Sequence, residues 1–365
     1  MSAIYIILIY VIICFCMILF NTFIILYGKV NTKINTLKTR KMKEKIKSQL
    51  NRLKNNFMVE EEHLKYLKRN LKKGNKLMIF DSIVTSYQKR ENPCINKYLD
   101  SLKDLFAELM YYYVKKNVTE RAYFLSVIKD YNVLYQNNKL EIDSILNKLL
   151  QDNNFYCRDN AYLAICKMGM ADKMVRALLN ISQSSKFFHK ALLMNGLNMY
   201  NGEQVELLKL LMKEFNAFRD DIKCCIIEYA SYYSNDYNDF ILGLILSKDT
   251  SKELKISCLH YFEYVFYDKA EDVIVECVNT YLDDEFSLCY ASVKALRNYN
   301  SKKSIETIMK AIYSDKFKIR DIACESLAVI RLGFNANDAN DFPTEDNIDD
   351  MYYYHVRKNM EKMVK

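Results

Sequence analysis

Residues 151–169 read QDNNFYCRDNAYLAICKMG, and the spacing within this stretch decides the fold. Starting from Arg158, small or apolar residues follow at plus three, plus six and plus seven, which places them on one side of a helix. The same spacing recurs at intervals of 31 to 37 residues. The units begin at Arg121, Arg158, Lys190, Lys223, Lys255, Cys289 and Arg320, the first being the weakest match. Self-similarity at such a period predicts stacked supersecondary units.

A second amphipathic segment follows a short polar break within the units. Val175, Leu178 and Leu179 mark one such segment, and Ile305 and Ile308 mark another. The composition agrees, because 7 Gly and 2 Pro are too few for many tight turns. Two helices per unit predict an all-α protein, an α-solenoid in which no unit buries its apolar face alone.

An uncharged apolar stretch lies near the start of the chain. Residues 3–27 read AIYIILIYVIICFCMILFNTFIILY, and ten Lys or Arg follow between Lys29 and Lys54. An apolar run of about 20 residues matches a bilayer core, and the flank rich in positive charge stays cytoplasmic. We therefore expect a single-pass helix in the cell membrane, with the N-terminus outside and the solenoid cytoplasmic. A cleaved signal peptide is the alternative, although no Lys or Arg precedes Lys29.

Charge is unevenly distributed along the chain. Residues 29–90 hold 18 Lys or Arg and 5 acids, whereas residues 91–365 have a net charge of −5. The basic segment either contacts anionic lipid headgroups or only sets the topology. The side chains predicted to contact the membrane surface are Lys29, Lys33, Lys38, Arg40, Lys41 and Lys43. The repeat region lacks the basic excess of a nucleic-acid-binding protein, so no nucleic-acid partner is expected.

An apolar stripe runs from Ile46 to Leu71, with Glu60 at a skipped core position. Its heptad-like spacing predicts a helix over residues 31–73 that is roughly 65 Å long. This helix is either a dimerising stalk, which gives a homodimer through residues 46–71, or a long helix against the domain that follows. The second interpretation is favoured because Gly74 permits a turn before another apolar run.

The quoted stretch resembles the HEAT-repeat family, in which an Asp ends one helix and an Arg six residues later opens the next. Asp152 with Arg158 and Asp249 with Lys255 follow this spacing, and Asp315 with Arg320 repeats the arrangement at a spacing of five. The resemblance covers residues 119–332. It implies a right-handed α-solenoid with a structural ladder, in which these pairs bond between repeats or to loop backbone. It also implies a scaffold, without indicating an activity.

The chain is further similar to single-span bacterial HEAT-repeat proteins with a basic linker, which are commonly encoded beside membrane glycosyltransferases. This narrower resemblance rests on FYCRDNA at 155–161, KISCLHYFEY at 255–264 and FKIRDIACESL at 317–327. It implies a membrane glycosyltransferase of surface polysaccharide synthesis as the protein partner.

Five segments follow from these patterns. They are a transmembrane anchor (1–28), a basic helical linker (29–74), a helical cap of the solenoid (75–118), the HEAT-like repeats (119–332), and an acidic loop with a C-terminal helix (333–365). The last segment either caps the final repeat or forms a tether whose helix binds a partner.

Catalytic and metal-binding patterns are missing from the sequence. The four His are scattered, no C-x-x-C pair occurs among the 11 Cys, and no phosphate-binding Gly motif appears. We therefore expect no enzyme activity, no cofactor and no metal, and we expect reduced, mostly buried thiols.

Tyrosine is the residue type best suited to recognition, with 29 Tyr and no Trp in the chain. Tyr229 and Tyr261 fall on core positions, so we expect them to pack inside. Tyr232, Tyr233 and Tyr237 lie outside those positions and are the candidate partner-binding residues, because an amphipathic ring suits an interface.

Together these patterns predict a membrane-anchored, non-enzymatic scaffold whose solenoid binds a protein partner, with a membrane enzyme as the expected partner. Two alternatives belong to other classes. One is a dimeric signalling or assembly module, and the other is a HEAT-like nucleic-acid enzyme.

Overall fold

The computed structural model describes residues 3–282 and 284–333, with side chains for residues 13–23, 36–282 and 284–331. Within these ranges every regular element is a helix and no strand occurs, so the all-α prediction is confirmed. The chain forms two compact units, Met1–Ile145 and Leu146–Lys365. The predicted segment 333–365 lies outside the described residues from 334 onward.

Unit 1 begins with a long helix and continues with shorter ones. Its helices are α1 (Ala3–Lys54), α2 (Glu61–Leu71), α3 (Gly74–Gln88), α4 (Ile95–Asp100), α5 (Lys103–Tyr113) and α6 (Val118–Tyr131). Helix α7 (Leu140–Leu149) spans the division between the two units.

The prediction of one continuous helix over residues 31–73 is wrong, because the chain breaks between α1 and α2. Asn56 adopts a positive φ of 61°, a left-handed conformation that Asn tolerates better than most residues. The turn brings Glu60 back to the buried Gln49 of α1. The Gln49 side-chain amide donates to Glu60 Oε2 at 2.9 Å, and the Glu60 backbone N–H donates to Gln49 Oε1 at 3.0 Å.

Part of the apolar stripe on these two helices is buried within unit 1, as the favoured interpretation expected, whereas Phe57 is 60% exposed. Ile46, Leu50, Leu67 and Leu71 are all buried. Helix α1 packs on α3 and α4, and α2 packs on α3 and α5. The homodimer through residues 46–71 stays a prediction, although these four residues are already buried inside one chain.

Helix α1 runs unbroken from Ala3 to Lys54. Among the residues whose side chains the structure describes, which include only 13–23 of the apolar stretch 3–27, no helix is long and apolar enough to cross a bilayer. The membrane span over residues 3–27 therefore stays a prediction.

Unit 2 is a run of short helices. They are α8 (Phe155–Lys167), α9 (Ala171–Gln183), α10 (Lys190–Asn198), α11 (Gln204–Lys213), α12 (Asp220–Tyr233), α13 (Asn238–Leu246), α14 (Lys252–Tyr264), α15 (Ala270–Tyr281), α16 (Phe286–Leu296), α17 (Lys302–Ile312) and α18 (Phe317–Gly333), with a 3₁₀ turn at Phe215–Ala217.

These helices stack in two layers. We call α8, α10, α12, α14, α16 and α18 the first helices; each packs on the next, while α9 packs on α11, α13 on α15, and α15 on α17. Each first helix carries one of the predicted unit starts from Arg158 onward, and Arg121 lies on α6 of unit 1. The residues at plus three, plus six and plus seven are buried in every one of these helices. Unit 2 is therefore a stack of helix pairs, as the repeats predicted.

Close approach of α8 and α10 depends on a glycine. The buried Tyr162 ring lies over Gly196, and its hydroxyl donates to the Leu193 carbonyl at 2.9 Å. A Cβ at Gly196 would lie 2.2 Å from Tyr162 Cε1, closer than any real contact. The small residue at plus six of this unit is thus required by helix packing.

The predicted ladder residues bind loop backbone in two of the three cases. Arg158 donates to the carbonyls of Asp152 at 3.0 Å and Asn153 at 3.2 Å. Arg320 repeats this geometry with the carbonyls of Ser314 at 2.8 Å and Asp315 at 3.0 Å. Within the described residues, no hydrogen bond or ion pair joins the third pair, Asp249 and Lys255.

Candidate partner-binding groove

A cavity of about 270 Å³ opens on the first helices of unit 2. We call it the tyrosine groove; it is lined by Lys190, Glu228, Ser231, Tyr232, Ser257, His260, Tyr261, Glu263, Tyr264 and Lys294. These residues come from α10, α12, α14 and α16.

The repeat geometry explains why the lining residues meet. Counted from the unit starts, Glu228, His260 and Lys294 all occupy plus five, and Tyr232 and Tyr264 both occupy plus nine. Residues four apart lie on one helix face. Stacking of the units then aligns equivalent positions of successive first helices into rows.

The aromatic part of the groove is the pair Tyr232 and Tyr264. Their side chains are 55% and 57% exposed, and their ring centroids are 6.0 Å apart at an interplanar angle of 42°. Tyr261, beside them, is buried, and its hydroxyl donates to Asn238 Oδ1 at 2.7 Å. The exposed pair therefore presents ring faces to a partner, while the buried Tyr261 beside it is already packed.

The charged part of the groove centres on the carboxylate of Glu263, whose side chain is 2% exposed. Lys294 Nζ lies 3.0 Å and Arg297 Nη2 lies 2.5 Å from its Oε1, and His260 Nδ1 lies 3.1 Å from its Oε2. Burial alone would raise the pKa of Glu263. The hydrogen bonds from His260 and Lys294, with the charge of Arg297, instead hold that pKa below its usual value.

A second ion pair lies at the α10 side of the groove. Lys190 Nζ is 3.1 Å from Glu228 Oε2, and both side chains are partly exposed. The groove therefore combines exposed aromatic faces with charged groups of both signs, a composition that suits polar protein interfaces.

The structure brings only one of the three predicted tyrosines into this groove. Tyr233 packs on the buried Tyr229 with ring centroids 4.6 Å apart, and Tyr237 is half-buried next to the start of α13. Tyr229 and Tyr261 are buried, as expected. Of the predicted binding residues, only Tyr232 lines the groove.

The residues that the sequence did not single out are His260, Glu263, Tyr264, Lys294 and Arg297. A signal for them existed, because plus five is charged or ionisable in three consecutive units. Plus eight carries Glu263 in one unit and Arg297 in the next. Only the stacking of adjacent units shows that these positions form one cluster.

The residues predicted to contact the membrane lie on α1. The side chains of Lys29 and Lys33 fall outside the described residues. The remaining positions are Lys38, half-buried, Arg40, which pairs with Glu44 at 3.0 Å, and Lys41 and Lys43, both exposed.

Several lysines lie close together where α1 packs on the start of α3. Burial, together with the charges of Lys38, Lys73 and Lys41, lowers the pKa of Lys76.

Unit 1 contains a second, larger cavity of about 550 Å³, lined by polar residues that include Lys45, Gln49, Glu60 and His63. Burial, reinforced by the charge of Lys45, lowers the pKa of His63 to about 4, so its ring is neutral at pH 7. Its Nε2 lies 2.9 Å from the hydroxyl of the buried Tyr98. This pair satisfies two buried polar groups and holds α2 against α4.

The thiols and acids of the described residues do not form a metal site. No three His, Cys, Asp or Glu side chains come together there in a way that would hold an ion. Cys224 and Cys225 are both buried, and burial raises the pKa of each thiol.

Comparison with known proteins gives no family for this chain. No family model and no curated protein matches it. Two crystal structures of engineered proteins are similar: one at 14% identity over 64% of this chain and 92% of its own, with a TM-score of 0.28, and another at 12% identity over 88% and 82%, with a TM-score of 0.32. Likeness at these TM-scores carries no argument about fold or function.

Proposed function

We propose that this protein is a membrane-anchored, non-enzymatic scaffold whose solenoid binds a protein partner through the tyrosine groove. The observation that carries the proposal is the pair of exposed rings, Tyr232 and Tyr264, beside the charged cluster of Glu263. Exposed aromatic side chains on a rigid stack of helices are typical anchors of protein interfaces.

The stacked helix pairs support the same class of function. Each unit contacts its neighbours and leaves a row of surface positions available, which is how solenoids present extended binding surfaces. The pattern at Arg158 and Arg320 supports a resemblance to HEAT-repeat proteins, which serve mostly as scaffolds.

The anchor part of the proposal rests on residues 3–27, which contain no charged side chain and belong to the unbroken helix α1. At 1.5 Å per residue this stretch is about 37 Å long, which suffices to span a hydrocarbon core of about 30 Å. The excess of Lys and Arg after it favours a cytoplasmic solenoid.

Helix geometry divides the predicted membrane-contacting residues into two groups. Along a straight helix, Lys29 and Lys33 lie about 3 and 9 Å beyond Tyr27, within or near a headgroup layer of about 5 to 8 Å. Lys43 lies about 24 Å beyond Tyr27 by the same measure. We expect Lys29 and Lys33 to contact anionic headgroups, and the later residues to do so only if α1 tilts strongly.

The partner we propose is a membrane enzyme, because both proteins would then share one membrane surface. A glycosyltransferase of surface polysaccharide synthesis is the specific candidate, and it comes from the resemblance to single-span HEAT-repeat proteins.

The proposal is tested by capture from native membranes in a mild detergent, followed by mass spectrometry. The full chain should recover one dominant membrane protein, and the double variant Tyr232→Ala and Tyr264→Ala should lose it. The matched control is Tyr156→Ala on α8, because Tyr156 is an exposed tyrosine outside the groove. Equal capture by the groove variant and the control would contradict binding through the tyrosine groove. Capture of no membrane protein by any form would contradict the scaffold function itself.

A further inference from the structure

Two cations, Lys294 in the groove and Arg297 beside it, share one carboxylate oxygen. Lys294 and Arg297 both contact Oε1 of Glu263, and their side chains are 26% and 22% exposed. Lysine has three N–H donors and arginine has five, and the hydrogen bonds and ion pairs of the described residues use one of each. The cluster therefore has donors and positive charge left for a second carboxylate.

The chain itself supplies a segment with matching chemistry. Residues 338–350 contain six acids and no Lys or Arg, and three tyrosines follow at 352–354. A segment with carboxylates followed by aromatic rings matches spare cationic donors at the end of α16 and exposed rings on α14 and α12. The order along the chain fits as well, because α18 packs on α16 and α16 packs on α14.

The distances allow the segment to reach the groove of the same chain. Adjacent packed helices are about 10 Å apart. Counted from the two unit starts, Gly333 lies five residues, roughly 8 Å, further along its helix than Arg297 lies along its own unit. The end of α18 is therefore on the order of 15 Å from the charged cluster. Twelve residues from 334 to 345 can extend roughly 40 Å.

We propose that residues 338–354 occupy the tyrosine groove of their own chain, with a carboxylate bound by Lys294 and Arg297 and the rings of 352–354 against Tyr264 and Tyr232. This inference rests on the proposed function in one respect, since the segment then competes with the partner for the groove. A groove that is mostly occupied lowers the apparent affinity of a partner in proportion to the fraction left open.

Cross-linking of the full chain in detergent tests the placement. A zero-length carbodiimide reagent joins a lysine amine to a carboxylate only when the two are in contact. We expect cross-links from Lys294 to residues 338–350 to exceed those from Lys318 roughly tenfold, because tethering raises the local concentration at one site. Lys318 is a suitable control, since it is exposed on the first turn of α18, at the far end of that helix from Gly333.

Equal cross-linking of Lys294 and Lys318 would overturn the inference. A mixture of isotopically heavy and light chains distinguishes the same chain from a second copy, and predominantly heavy-to-light cross-links would contradict the placement within one chain.

Partner capture separates this inference from the proposed function. Changing the six acids of 338–350 to Asn or Gln should increase capture several-fold. If capture is unchanged by this variant but is lost with Tyr232→Ala and Tyr264→Ala, the inference fails and the scaffold stands. If no form captures a partner, the scaffold fails, and the cross-linking result alone decides the inference.

Discussion

At the scale of single residues, Glu263 shows how a buried charge is kept in this fold. Its carboxylate is removed from water, and it stays ionised only because His260, Lys294 and Arg297 surround it. Lys294 lies on α16 and Arg297 directly follows that helix, while Glu263 lies on α14. The cluster therefore joins adjacent repeats, and breaking it leaves charged groups without compensation.

We predict that Glu263→Gln lowers the free energy of unfolding by roughly 2 to 4 kcal/mol at pH 7. The pKa of Glu263 in the folded protein lies below its ordinary value of 4.5, so its stabilising effect is complete above that pH. As pH falls through the folded pKa, the effect is lost, and the variant should approach the wild type. Urea unfolding followed by circular dichroism from pH 7 to pH 3 measures this difference, and a gap independent of pH would contradict it.

Arg158 gives a second prediction at this scale. Its guanidinium binds two carbonyls of the loop before α8, so Arg158→Ala should lower the free energy of unfolding by about 2 kcal/mol. Arg176→Ala is the control, because Arg176 is exposed and lies 3.7 Å from Asp172 in a surface pair. We expect the control to change stability by less than about 0.5 kcal/mol in the same urea titration. Equal losses in both variants would mean that the loop carbonyls are not what Arg158 stabilises.

Much of the residue pattern could be predicted, because a repeat fixes which positions face the core. The burial of Tyr229 and Tyr261 and the exposure of Tyr232 followed from spacing alone. The charged cluster could not be found in that way. The members of the cluster come from two repeats that are distant in sequence. Considered alone, each of them resembles an ordinary surface charge.

At the scale of elements, the packing of α8 on α10 depends on Gly196. A methyl group there would overlap the ring of Tyr162, which is fully buried. Gly243, in α13, has no heavy atom within 4 Å of the same position. The two glycines thus occupy similar helical backbone with opposite surroundings.

We predict opposite effects of alanine at these positions. Gly196→Ala should destabilise the protein by roughly 1 to 3 kcal/mol through overpacking. Gly243→Ala should stabilise it by about 0.5 to 1 kcal/mol, because alanine loses less backbone entropy in a helix. Thermal unfolding of both variants checks this, and a destabilising Gly243→Ala would show that the space beside α13 is filled in solution.

The break between α1 and α2 shows where element prediction fails. Apolar spacing continues in phase from Leu50 to Leu64, so the sequence favours one helix. The deciding features are the positive φ at Asn56 and the hydrogen bonds that Glu60 makes with Gln49. Both depend on tertiary contacts, which apolar spacing does not encode.

At the scale of the whole molecule, a monomer is the state expected for the described contacts. Ile46, Leu50, Leu67 and Leu71, four residues of the stripe that suggested a dimer, are buried inside unit 1. We therefore predict that the full chain in detergent sediments as one monomer mass across micromolar concentrations. A shift to dimer with rising concentration would revive the signalling or assembly alternative.

The central claim, an anchored scaffold that binds a membrane partner through the tyrosine groove, is tested most directly by proximity labelling in the native cell. A labelling enzyme is fused after Lys365, and the wild type is compared with the variant carrying Tyr232→Ala and Tyr264→Ala. We predict one membrane enzyme as the main labelled protein, with its labelling reduced several-fold in the variant. Labelling dominated by soluble nucleic-acid-binding or signalling proteins, or identical in both forms, would contradict it.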